Sequence, residues 1–136
     1  MAHNKAEIYS TGSWTIKAVY PFHSFISRFG LISFLDYFLL FGGDTHYSTT
    51  DVIAKFDPVL NTWTRMGSLK SKRTFSAVIE VEKKLMIIGG YGKELTESCE
   101  LLGQKIECNS REPAIERVRY PAVMVVNLDF TDNCKL

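Results

Sequence analysis

The sequence lacks most of the features that would announce a specialised class. It has no surplus of charge: sixteen Lys and Arg stand against fifteen Asp and Glu, interspersed along 136 residues without a basic or acidic run. Nucleic acid and an anionic membrane surface therefore have no electrostatic reason to be partners. It also has no long hydrophobic run. The most apolar stretch, 29–41, covers 13 residues and contains Asp36, well short of the roughly 20 apolar residues a membrane-spanning helix needs. The first residues, Met1 to Glu7, carry no apolar core of the kind found in a secretory signal peptide.

Catalytic and cofactor motifs are missing as well. There is no Gly-x-Ser-x-Gly elbow, no Gly-x-x-x-x-Gly-Lys loop, no His-Glu-x-x-His and no dinucleotide-binding glycine motif. His3, His23 and His46 are the only histidines, and none has a second histidine close enough to suggest a metal set. No cofactor and no metal are expected. Cysteine is scarce: Cys99, Cys108 and Cys134 lie in the last third, without a Cys-x-x-Cys pair, which argues against zinc. Two readings of them stay open, three thiols or a Cys99–Cys108 disulfide with Cys134 paired elsewhere.

What is present is a repeat. Asp36-Tyr-Phe-Leu-Leu-Phe-Gly42-Gly43 and Lys83-Lys-Leu-Met-Ile-Ile-Gly89-Gly90 each run from a charge through a short apolar strand to a glycine pair, 47 residues apart. Trp14 and Trp63 are 49 apart, Arg28 and Arg73 are 45 apart, and Arg119 follows Arg73 by 46. A period near 47 fits two-helix solenoids or propeller blades. The apolar runs are short, rich in Val, Ile and Phe, and separated by turn residues, so the unit is all-β. Strands are expected at 25–34, 37–41, 52–56 and 62–65, and again at 75–81, 85–88, 98–101 and 105–107. Asp57-Pro58 and Asn61 supply a hairpin turn between the third and fourth.

The series Gly42-Gly43, Phe56-Asp57-Pro58-x-x-Asn61-x-Trp63, Arg73, Gly89-Gly90 resembles the kelch repeat. That resemblance implies a β-propeller of four-stranded blades. It is strong over 37–90, weaker from Trp14 to Asp36, and fades after Gly90, where the Asp-Pro turn and the Trp are absent. Residues 1–136 then read as a single kelch-like region, a partial propeller with blade units at about 25–65 and 75–107. Partial blades flank them around Trp14 and Ala122–Val126. Trp14 and Trp63 are expected in the core or between blades. Propellers close with about four to eight blades, so the missing ones come from a longer chain or from self-assembly. The fragment reading is favoured, and wedge faces bearing Phe38, Leu40 and Ile87 are expected to stand open.

The copper oxidases among kelch propellers need clustered His and Tyr, which these units do not offer. A non-catalytic protein-interaction module is the function the resemblance implies, with a protein partner. The alternative is the propeller part of a secreted enzyme or carbohydrate-binding protein. Loops after the second and fourth strands emerge on one face, carrying Asp44, His46, Tyr47, Lys70, Lys72, Arg73, Tyr91, Lys93 and Glu94. From these His46, Tyr47, Arg73 and Tyr91 are the candidate binding residues, since Tyr and Arg dominate hot spots. Arg28, Arg73 and Arg119 could equally share a structural role such as an ion pair between blades. Cys99 and Cys108 stand where the first unit has Phe56 and Trp63, and a disulfide there would place the parent protein in an oxidising compartment. Free thiols would place it in the cytoplasm.

Overall fold

The computed structural model describes residues 5–92 and 96–111. Among them there are ten strands and no helix, so no helix is long and apolar enough to cross a membrane. Strands β1 (Lys5–Ser10) and β2 (Ser13–Val19) form a hairpin. A four-stranded sheet follows, of β3 (Gly30–Phe34), β4 (Tyr37–Phe41), β5 (Val52–Asp57) and β6 (Thr62–Ser68). A second is made of β7 (Ala77–Val81), β8 (Lys84–Ile88), β9 (Thr96–Leu102) and β10 (Lys105–Arg111). Each is an antiparallel meander in chain order, the arrangement of two adjoining propeller blades.

Turn chemistry sets the register. The Asp57 carboxylate accepts the N–H groups of Val59 and Leu60, each at 2.9 Å, and Asn61 takes φ of 54°. That closes the turn so that Phe56 and Trp63 face each other across β5 and β6. Gly43 sits at φ 108°, and a Cβ there would stand 2.7 Å from the Ser27 carbonyl oxygen. Only glycine lets the backbone pass that close. The first strand of each blade is shorter than expected, starting at Gly30 and Ala77 instead of 25 and 75. Arg28 at φ 56° and Phe75 at φ 58° occupy the left-handed region, which an extended strand does not use. At the other end β10 outruns its expectation, pairing with β9 as far as Arg111 opposite Thr96.

Alternation along β4 divides the two sides of the first blade. Leu39 and Phe41 join Ile53 and Met66 in a core that includes Leu85, Ile87, Cys99 and Ile106 of the second blade. Burying each large apolar side chain stabilises the pair of blades by about 1.5–3 kcal/mol. Leu40 faces the other way, into a smaller cluster with Tyr20, Val52 and Ala54. Of the three residues expected on open wedges, Ile87 is covered by the first blade; Leu40 is buried in the cluster with Tyr20 but, like Phe38, lines an open space beside it.

Trp63 is half-buried, its ring 5.0 Å from Phe56 and 5.1 Å from Tyr20, and its indole N–H donates to the Ala18 carbonyl at 2.9 Å. Trp14 departs from expectation. It is 69% exposed and touches Tyr9 across the hairpin, because among the described residues β1 and β2 form a sheet of two strands with nothing further to cover that ring. Arg119, the strand expected near Ala122–Val126, and Cys134 lie outside the described residues.

Candidate binding face

Four loops meet at one end of the two blades. Backbone bonds tie them together: Ser27 N–H to Asp44 at 2.9 Å, Gly43 N–H to Arg73 at 2.8 Å, Phe75 N–H to Arg28 at 2.8 Å and Thr74 N–H to Tyr91 at 3.1 Å. The face is therefore a fixed platform built from the segments before β3, after β4, after β6 and after β8, where recognition residues concentrate.

Three of the four candidate residues lie on it. The His46 ring stacks on Phe25 with centroids 4.6 Å apart and planes at 27°. Tyr47 follows at 94% exposure, its loop held by Thr45, whose hydroxyl oxygen accepts the Ser48 N–H at 3.0 Å. Tyr91, 40% exposed, meets the Phe75 ring edge-on at 6.1 Å. Lys70 and Lys72 are exposed beside them. Lys93 and Glu94 lie outside the described residues.

Arg73 is not on the surface. Its side chain and that of Glu97 are both fully buried, with Nη2 2.9 Å from Oε1, and its Nη1 donates to the Gly89 carbonyl at 3.3 Å. The Glu97 carboxylate also accepts the N–H groups of Lys70 at 2.8 Å and Ser71 at 3.2 Å. The segment crossing from one blade to the next is thus pinned from below, where a side chain reaching for a ligand would be out of place. Nor does Arg28 share this position. The bridges Ser27–Asp44 and Thr74–Tyr91 align the blades at an offset of 47, which makes Phe75 the counterpart of Arg28.

Arg28 reaches the surface instead, with 56% of its side chain exposed. Its Nη1 lies 3.2 Å from Asp44 Oδ2 and its guanidinium 4.9 Å above the Phe75 ring centre. Asp44 also accepts the hydroxyls of Thr49 at 2.8 Å and Thr74 at 3.0 Å. Partial burial alone would raise its carboxyl pKa. The three hydrogen bonds and the Arg28 charge outweigh that and hold it below the ordinary value. Phe25, Phe75 and this Arg28–Asp44 pair were not singled out from sequence as binding residues. The signal that could have found them is the 47-residue offset of the glycine pairs carried back to Arg28.

Cys99 and Cys108 are joined by a buried disulfide directly across β9 and β10. Their sulfurs and a Glu97 oxygen lie within 4.8 Å of one another. With the sulfurs bonded to each other and the carboxylate committed to Arg73, Lys70 and Ser71, the trio serves as a structural anchor.

No family model matches the chain. A 49-residue stretch, 36% of the chain, is 35% identical to an F-box/kelch-repeat protein of Arabidopsis thaliana and covers 10% of it. A 52-residue stretch, 38% of the chain, is 36% identical to Kelch-like protein 25 of Rattus norvegicus and of Mus musculus and covers 9% of each. The matched stretch spans about a tenth of the length of these relatives. Among solved structures, the propeller-type YjhT matches 77% of this chain and 44% of its own, with TM-score 0.62 and 12% identity. The fold is all-β and propeller-type, with kelch-like sequence over about fifty residues.

Proposed function

We propose that this chain is a non-catalytic protein-interaction module that binds its partner through the loop face. The observation that carries the reading is the gathering of Tyr47, Tyr91 and the Phe25–His46 stack from three separate loops onto one braced surface. Exposed aromatics on a rigid frame add contact area at little cost in conformational entropy. The partial similarity to kelch-repeat proteins supports the same reading. Selection from a displayed peptide library tests it. Selected peptides should lose about tenfold or more in affinity for Tyr47→Ala/Tyr91→Ala, as hot-spot truncations do. They should bind Val59→Ala/Leu60→Ala, altered at the opposite end, unchanged. The reverse pattern would overturn the assignment.

The disulfide favours a second reading, a propeller part of a secreted enzyme or carbohydrate-binding protein. Buried disulfides persist in oxidising compartments. Expression with a secretion leader and without one separates the two. A chain that folds and binds only when oxidised supports secretion, and equal behaviour of the reduced chain supports the cytoplasm.

A further inference from the structure

The second blade gathers three metal-ligating side chains that the spacing of the cysteines does not announce. Side chains two apart on a strand share a face, so Glu97 and Cys99 lie on one face of β9, and register sets Cys108 of β10 directly opposite Cys99. All three are buried. One carboxylate oxygen and the two sulfurs lie within 4.8 Å of one another. At the matched places the first blade has Ala54, Phe56 and Trp63, which offer no ligand.

The Glu97 carboxylate is not fully used. An ionised carboxylate has about four lone-pair sites. Oε1 accepts Arg73 Nη2 and the Ser71 N–H, and Oε2 accepts the Lys70 N–H, which leaves a site on Oε2. Charge then selects the ion. Two thiolates and a carboxylate carry three negative charges, and Arg73 beside them supplies one positive. A divalent cation brings the buried cluster to zero, whereas a monovalent one leaves a net charge in the interior, where unpaired charge is costly. Two thiolate sulfurs with a carboxylate oxygen suit Zn²⁺, which takes four ligands in a tetrahedron.

We propose that, once the disulfide is reduced, Cys99, Cys108 and Glu97 bind one Zn²⁺, with water in the fourth position. Two molecules of a thiol reductant deliver two electrons and two protons to the S–S bond, leaving two cysteine thiols and one disulfide of the reductant. Zn²⁺ then displaces those two protons to solvent as the two S–Zn bonds form. Access is through a groove of about 300 Å³ between β6 and β10, lined by Cys108 with Met66, Gly67 and Ile106. The charged residues of that groove, Lys70 and Lys105 against Glu107, suit an anionic thiol reductant more than a cation, so metal affinity rests on the ligands themselves. The outer strand pair is clamped in either state, by a covalent bond when oxidised and by the ion when reduced. This inference does not depend on the loop face.

The test uses the full chain, reduced with a phosphine, freed of reagent under argon and titrated with Co²⁺ as a coloured stand-in for Zn²⁺. A thiolate-to-cobalt charge-transfer band should saturate at one ion per chain, and one equivalent of Zn²⁺ should remove it. Cys99→Ser and Cys108→Ser should each weaken binding by about a hundredfold or more, and Glu97→Gln by about tenfold or more, while Cys134→Ser leaves it unchanged. Measurements on wild type keep the proposal falsifiable if a variant fails to fold. Zn²⁺ should raise the urea midpoint of the reduced chain, since an ion held by the folded state stabilises it. It should also slow alkylation of Cys99 and Cys108 but not of Cys134. Absence of the band, a site that survives the serine substitutions or the loss of the Glu97 carboxylate, a need for Cys134, or a urea midpoint that stays or falls would each overturn the proposal.

Discussion

The two blades share one backbone plan and differ at three matched places. Where the first pairs Phe56 with Trp63 across its outer strands, the second joins Cys99 to Cys108. Ile26 of the first packs on the cluster holding Ala54, whereas the second has Arg73 buried against Glu97. At the rim of the loop face the first sets Arg28 against Asp44, and the second sets Phe75 against Tyr91. Each contact is kept while its chemistry is exchanged, so the backbone frame, more than any one interaction type, is what repeats. The exchange has a consequence for the segment 69–73. A carboxylate at the Ala54 position can accept backbone N–H groups from that segment, which an alanine cannot do.

Breaking the buried ion pair should have the largest effect. Glu97→Ala strands the Arg73 charge and two backbone N–H groups, at a cost of roughly 3–5 kcal/mol, measurable by urea unfolding. Arg73→Ile together with Glu97→Ala installs the first blade's residues and should recover the share of that loss due to the stranded charge, while the Lys70 and Ser71 N–H groups stay without their acceptor. A double variant no more stable than Glu97→Ala would break the equivalence of the two sites.

On the other blade, Trp63→Ala removes a half-buried ring and its bond to Ala18, and should cost about 3 kcal/mol. A loss below about 1 kcal/mol would mean that Phe56 and Trp63 do not anchor the first blade as assigned. Replacing Cys99 and Cys108 together by Ala should cost about 2–3 kcal/mol, given the short loop of sequence separation 9. Refolded wild type under reducing conditions should fall by a similar amount in the same unfolding assay.

The smallest effect belongs to the rim. The Asp44 pKa is depressed in the folded chain, so its contribution is complete above the ordinary carboxylate pKa of 3.8 and is lost as pH falls through the lower folded value. Asp44→Asn should therefore be less stable than wild type at pH 6 by under about 1 kcal/mol, with the gap closing in acid. A gap that widens toward low pH would reverse the sign.

Much of this plan is legible in the chain itself. The glycine pairs at an offset of 47, the Asp57–Asn61 turn and the short Val- and Ile-rich runs carry the blades, and the turn carries Phe56 opposite Trp63. Laying the second unit on the first sets Cys99 and Cys108 at the places of Phe56 and Trp63 but leaves open whether the two are bonded. Arg73 was harder, because a long cation directly after Lys70 and Lys72 looks like surface, and burial depends on a carboxylate 24 residues later. Glu97 itself falls before the strand expected at 98–101, since the polar run Thr96-Glu97-Ser98 has no apolar alternation to announce a strand. The 45-residue spacing from Arg28 to Arg73 suggested equivalence, and two left-handed residues, Arg28 and Phe75, show that the true partner lies two positions on. Trp14 kept the spacing of Trp63 without its burial, because spacing reports register and burial needs neighbouring strands.

The claim that the second blade repeats the first with its anchors exchanged rests most directly on which residues face each other across β9 and β10. Oxidative refolding of the purified chain, blocking of free thiols and peptide mapping by mass spectrometry measures this. A Cys99–Cys108 cross-link is the expected result, since register places those two directly opposite. Three alkylated cysteines, or a link from either residue to Cys134 in its place, would contradict the register and with it the equivalence of the blades.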